Sequence, residues 1–277
     1  MKRRFFFFIL FFLTIQSCYS IESKNLKIVT LAPNLTEIIY ALGEENKLVG
    51  NTILCDYPLQ AKTIYKIGNF NNPNVERIIT KGANIVFATE GNPDDKLKFL
   101  EKNNIKVIKF QPQTVNEISD MIYTISKELG VVNKGNELVF QIKNSIEKLK
   151  KMSKINKRKF VFILQFEPIY TFSENTWIGS VFKLGGFENI IGNSSIRYPK
   201  ISDEFLLKNK PEIFFIGGIE GKSKEESIEI YNKKLGKLYG NLKEKFNIVI
   251  VPKDILVRPG PRIIDGIKFL ESIKIEK

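Results

Sequence analysis

The chain repeats itself, and this constrains its architecture more than any other feature. From Asn74 it reads NVERIITKGANIVFA, and from Ser202 it reads SDEFLLKNKPEIFFIGG. Counting from Glu76 in the first copy and Glu204 in the second, Ile78, Ile79, Ile85 and Phe87 fall opposite Leu206, Leu207, Ile213 and Phe215. A second match sets ALGEENKLVG against KLGGFENIIG, with Leu42, Gly43, Leu48 and Gly50 in register with Leu184, Gly185, Ile190 and Gly192. Two related halves, each with a short helix feeding a buried strand, are the economical reading of such self-similarity.

Strand and helix patterns alternate around the repeats. LKIVTLA, KLVGNT, NIVFATE and IKVIKF are short runs rich in β-branched residues, separated by amphipathic stretches such as TEIIYALGEE and TVNEISDMIYTISKELG. That alternation predicts parallel sheets with helices on their faces. Pro33 is expected to end the first strand, Asn34 or Thr36 to open the first helix, and Gly43 to stop it. From Lys134 to Lys154 the pattern becomes one long stripe of Leu138, Ile142, Ile146, Leu149 and Met152. Lys148, Lys150, Lys151 and Lys154 crowd its C-terminal end, where the helix dipole favours cations. Alternation then resumes with KFVFILQF, TWIGSVFKLGG, EIFFIGG, NIVIVP and a closing helix, GPRIIDGIKFLESI. The predicted fold class is therefore α/β. Two Rossmann-like lobes with central parallel sheets, residues 25–131 and 157–277, are joined by one long α-helix over 132–156, and 277 residues suit two medium domains.

The N-terminus, MKRRFFFFILFFLTIQSC, is a basic tip followed by an apolar core from Phe5 to Leu13 that is too short to span a bilayer. Residues 1–17 read as an export signal. The tetrapeptide IQSC resembles the bacterial lipobox, in which the cysteine becomes the first mature residue and carries lipid. Cys18 is thus the lipidation candidate, and a periplasmic or cell-surface location with membrane anchoring is expected; ordinary cleavage and free secretion is the alternative. With Cys18 lipidated, Cys55 is the only remaining thiol, so no disulfide forms within the chain and Cys55 reads as a small buried residue.

The formal charge of +13 includes Lys2, Arg3 and Arg4 of the signal, and the rest of the excess is lysine scattered along the chain. Zinc-finger spacing and dense basic runs are lacking, which argues against nucleic acid as a partner and for a solvated surface facing an anionic membrane. The chain has no histidine. That removes Ser-His-Asp and Cys-His arrangements and the HExxH zinc site. The GxSxG elbow, the P-loop and a strand-coupled GxGxxG are also missing. A non-enzyme without a resident cofactor or metal is the expectation.

Asn74 and Ser202 each precede a glutamate by two residues, placing Glu76 and Glu204 in the first turn of a capped helix. The helix dipole alone stabilises such a carboxylate by about 0.3–1 kcal/mol. Six residues before each stands an aromatic, Phe70 and Tyr198. Ligands of open α/β sheets bind outside the carboxyl ends of the strands, where these loops lie, and paired aromatics suit a large, partly flat ligand.

The runs IVTLAPNLTEIIYALGEENKLVG, CDYP, GNFNNPNVERIITKGANIV and RPGPRIIDGI together resemble the substrate-binding proteins of bacterial importers for cobalamin, ferric siderophores and haem. The likeness covers essentially all of the mature chain. It implies a monomer of two α/β lobes bridged by a single long helix, with the ligand between them and little hinge motion. In that family one glutamate per lobe docks onto arginines of the ABC importer permease dimer; carried over, these are Glu76 and Glu204, in bidentate, orienting contacts.

The cobalamin-binding branch is most similar through FILQFEPIYTF, GGFENIIGNSSIRYPKIS and the KD of VPKDILVRPGPR. This implies ligand contacts at Pro33, Tyr57, Phe70, Phe166, Tyr198 and Asp254. Phe70 and Tyr198 stand where the family has tryptophans, Thr89 and Ile255 replace two further aromatics, and Trp177 falls in a predicted helix. The implied cargo is a corrinoid. A ferric siderophore paired with Arg197 or Arg258, and a haem ligated by Tyr or Met, are the alternatives; a surface adhesin that has kept the fold is the alternative of another class.

Overall fold

The computed structural model describes residues 25–152, 158–219, 221–239 and 247–273. The signal over 1–17 and the lipidation candidate Cys18 lie outside them. The described residues fall into two compact units, the first running to Gln111 and including Tyr123–Asn136, the second made of Pro112–Ile122 and the described residues from Glu137 onward.

The first unit contains β1 (Ile28–Thr30), β2 (Leu48–Asn51), β3 (Ile85–Thr89) and β4 (Lys106–Phe110), all parallel, in the order β2-β1-β3-β4. Ile28 and Val29 in β1, and Ile85 to Ala88 in β3, are buried. Central strands covered on both faces need such continuous apolar runs. β4 lies at the edge and carries two exposed lysines, Lys106 and Lys109, which blunts an edge that would otherwise recruit another strand. Val29, Leu31, Ile67, Ile78, Val86 and Leu100 form a core with no more than 1% exposure at any of them.

Helices α1 (Pro33–Ala41), α2 (Val75–Thr80) and α3 (Asp94–Lys102) cover this sheet. The start of α1 corrects the sequence reading. Pro33 does not merely end β1; it is the first helical residue, after an Ala32 N-cap that makes no side-chain bond. A fixed φ and a missing N–H suit proline to that position. Asn34 and Thr36 are buried, and the Thr36 hydroxyl lies 2.6 Å from that of Thr30.

Two longer helices follow, α4 (Val115–Glu128) and α5 (Val132–Met152). The predicted long helix is present as α5, with Ile142, Ile146 and Leu149 buried and Leu138 half-buried. The division between the units falls within both helices.

The second unit has β5 (Arg158–Ile163), β8 (Phe187–Asn189), β9 (Ile213–Gly217) and β10 (Ile248–Val251), parallel, in the order β10-β9-β5-β8. Read from the other edge, the order is second, first, third, fourth strand of the unit, as in the first sheet. The repeat seen in sequence is thus a repeat of topology, with Ile85 and Ile213 each opening a third strand.

A separate antiparallel hairpin, β6 (Gln165–Phe166) and β7 (Ile169–Tyr170), interrupts what the sequence suggested was one strand, KFVFILQF. Glu167 and Pro168 make the turn between the two strands, and Pro168 has no N–H to donate to a ladder. Helices α6 (Trp177–Leu184), α7 (Asp203–Asn209), α8 (Lys224–Tyr239), α9 (Lys253–Val257) and α10 (Ile263–Ser272) complete the unit. The sequence reading did not anticipate α9. Trp177 opens α6 and is buried.

Phenylalanine dominates this second core. Phe160 stacks on Phe182 at 4.5 Å, and Phe182 meets Phe215 edge-on at 4.9 Å. The first unit has a looser pair, Phe87 and Phe110, at 6.2 Å.

Candidate functional site

In each sheet the chain steps to one side of the first strand and then to the other, so the carboxyl ends of the first and third strands flank a topological switch point. In the first unit those ends are Leu31-Ala32-Pro33, after β1, and Glu90-Gly91-Asn92, after β3. Phe70 reaches this place from a tight turn in which Asn69 and Asn72 exchange backbone bonds of 3.2 and 3.4 Å, and Gly68 bridges Pro73. Its ring is half-buried.

One side chain ties the three segments together. Asn92, 3% exposed, donates its amide to the carbonyls of Leu31 at 3.3 Å and Phe70 at 3.0 Å, and accepts from the Thr89 N–H at 2.8 Å. The sequence reading missed Asn92, because its partners lie 61 and 22 residues away.

Tyr57 sits beyond β2 in a loop held by Lys66. The Lys66 ammonium donates to Asn51 Oδ1 at 2.7 Å and to the carbonyls of Ala61 and Cys55 at 3.0 and 3.2 Å. Burial pulls the Lys66 pKa down, and Cys55 and Asp56 oppose the shift. Cys55 is free and buried, as its sequence context suggested. The same loop exposes Ile53 and Leu54 beside Tyr57, about half of each surface being open; hydrophobic patterning gave no reason to single them out.

In the second unit Tyr198 lies on a segment fixed to the strand-like run after β7. Ser173 N–H donates to the Arg197 carbonyl at 2.9 Å and Thr171 N–H to that of Pro199 at 3.1 Å. Tyr198 keeps 47% of its surface open, while crowding at its phenol raises the pKa against the opposing Arg197 charge. The Arg197 guanidinium donates to Gln113 Oε1 at 3.0 Å.

Phe166 occupies different surroundings. Its ring stacks on Tyr231 at 5.6 Å with Lys234 Nζ 5.0 Å from its centroid. It lines an open groove of about 800 Å³ that also takes in Ile169, Lys200, Glu204 and Leu238, but not Tyr198. Asp254 is exposed on α9 and pairs with Arg258 at 3.1 Å. Pro33 is the first residue of α1. Asn92 thus ties the Phe70 turn to Leu31, two residues before Pro33, Tyr57 and Tyr198 are each exposed on an anchored loop, and Phe166 and Asp254 have partners of their own.

Both glutamates lie exposed in first turns, as their caps predicted. Asn74 Oδ1 accepts from Arg77 N–H at 2.9 Å and Ser202 Oγ from Phe205 N–H at 3.2 Å. Glu204 accepts from the Ser202 hydroxyl and from its own backbone amide, which holds its carboxyl below the usual range. Among the described residues there is no group of three metal-binding side chains, and no helix is long and apolar enough to cross a membrane.

Two matched α/β units that present anchored aromatics at strand ends and capped carboxylates at helix starts describe a solute-capture protein rather than an enzyme. The periplasmic binding protein family matches residues 28–230, and the chain belongs to that family, whose members deliver ligands to ABC importer permeases. The chain is 28% identical over 254 residues to the vitamin B12-binding protein of Vibrio parahaemolyticus, covering 90% of each. Among solved structures it resembles the periplasmic vitamin B12-binding protein BtuF of Vibrio cholerae, with a TM-score of 0.75 and 27% identity over 88% of this chain and 94% of that one. The haem-binding protein HutB of the same species superposes equally well, TM-score 0.75 over 90% and 98%, at 18% identity, a likeness of fold.

Proposed function

We propose that this chain captures a corrinoid and delivers it to an ABC importer permease. The observation that carries the reading is the similarity to vitamin B12-binding proteins along nine-tenths of the chain. The site chemistry agrees with it. Tyr57, Phe70 and Tyr198 offer open or half-open aromatic surface, the kind of wall a macrocycle stacks on. The guanidiniums that an anionic ferric siderophore would need are engaged, Arg197 with Gln113 and Arg258 with Asp254. A haem would have to find its axial ligand without histidine.

Glu76 and Glu204 are the permease-docking pair in this reading, Pro33, Phe166 and Asp254 complete the ligand set, and Cys18 carries the lipid that holds an exported monomer at the membrane. Titrating the purified mature protein with cyanocobalamin, a ferric siderophore and haemin, following absorbance and Trp177 emission, separates the cargo classes. Cyanocobalamin is expected to bind at least about tenfold tighter than either competitor; preference for a siderophore or haemin would replace the cargo while leaving the importer role in place.

A further inference from the structure

The geometry points to Asn92 and Gly91 as positioning residues for the ligand wall of the first unit, acting through Phe70. The inference rests on the ligand-binding reading above and deepens it by naming what sets the placement and size of that wall.

A primary amide offers two N–H donors and a carbonyl acceptor, and Asn92 uses all of them on backbone groups of three separate segments. Its donors hold Leu31, at the end of β1, and Phe70, in its turn; its acceptor holds Thr89, at the end of β3. Asn92 itself is 3% exposed and its bond to Leu31 is buried, and removing the amide would strand two carbonyls. Glutamine would place the amide one methylene too far, and aspartate would set a carboxylate against both carbonyls. Among residues of this size only asparagine satisfies all three partners.

Gly91 completes the arrangement. Its φ is +89°, a region that side chains disfavour. A Cβ there would stand 2.9 and 3.1 Å from Cε1 and Cζ of Phe70. The phenyl ring therefore rests against bare backbone at the switch point, while Asn92 fixes the carbonyl of the same residue. Phe70 is held at both its main chain and its ring. Ordering a binding surface in advance removes part of the cost of association, so the two residues are expected to govern affinity without touching the ligand.

The test is a double-mutant cycle on the full mature protein, with cyanocobalamin and haemin as probes and thermal midpoints recorded alongside. Gly91→Ala and Asn92→Asp are made with Phe70 present and again in Phe70→Ala. With Phe70 present, each is expected to weaken the bound probe by about tenfold; in Phe70→Ala the further loss should be under about twofold. Backbone strain at position 91 is common to both backgrounds and cancels. If Gly91→Ala melts far below wild type, Asn92→Ala carries the same cycle. Equal losses in both backgrounds, no loss with Phe70 present, or an affinity unchanged by Phe70→Ala alone would overturn the positioning role while wild-type binding upholds the ligand reading. Wild type that binds neither probe would overturn both.

Discussion

Ser202 has two roles, capping α7 by accepting from the Phe205 N–H and donating its hydroxyl to the Glu204 carboxylate. The carboxyl is held below its ordinary pKa, so its contribution to the folded state is present above the unfolded value and lost as pH falls through the folded one. Ser202→Ala should return the Glu204 carboxyl toward the ordinary range in an NMR titration; no change would place the shift elsewhere. Asn74→Ala removes the matching cap in the first unit and should lower stability by about 1 kcal/mol in denaturant melts. These caps were readable in sequence because cap and partner lie within three residues. Asn92 was not, since its meaning depends on carbonyls that only the folded sheet brings near. Pro33 was half-readable: a strand stop and a helix start look alike until the helix is seen to begin on the proline itself.

The elements followed the hydrophobic pattern wherever burial was two-sided. NIVFATE and EIFFIGG are central strands and could hardly be anything else, whereas the hairpin at Gln165–Tyr170 and the five-residue α9 are too short for a period to show. Core composition separates the two sheets. Phe160, Phe172, Phe182, Phe187 and Phe215 form one aromatic cluster in which Phe182 contacts the other four at 4.5–5.8 Å. Phe182→Ala should therefore cost the second unit about 3–5 kcal/mol, read as a shifted urea midpoint for that unit. A loss below about 1 kcal/mol would mean that the cluster closes over the gap.

At the scale of the molecule, the duplication gives two sheets of the same strand order, each with an exposed glutamate at the start of the helix before its third strand. Exposed carboxylates suit reversible recognition of guanidinium groups more than stability. Exchanging Glu76 and Glu204 for lysine should abolish ligand uptake by cells while leaving the affinity of the purified protein within about twofold of wild type; unimpaired uptake would favour a surface protein that kept the fold without the transport role. The whole-chain pattern was legible because a duplicated α/β unit writes its period into the sequence twice. The cargo was less so, because in the proposed reading it depends on how Tyr57, Phe70 and Tyr198 are presented rather than on their spacing. The most direct test of the account is the equilibrium affinity of the purified mature protein for cyanocobalamin by titration calorimetry. A one-to-one complex with Kd below about 10 μM is predicted, and no detectable heat at cyanocobalamin concentrations well above that value would contradict it.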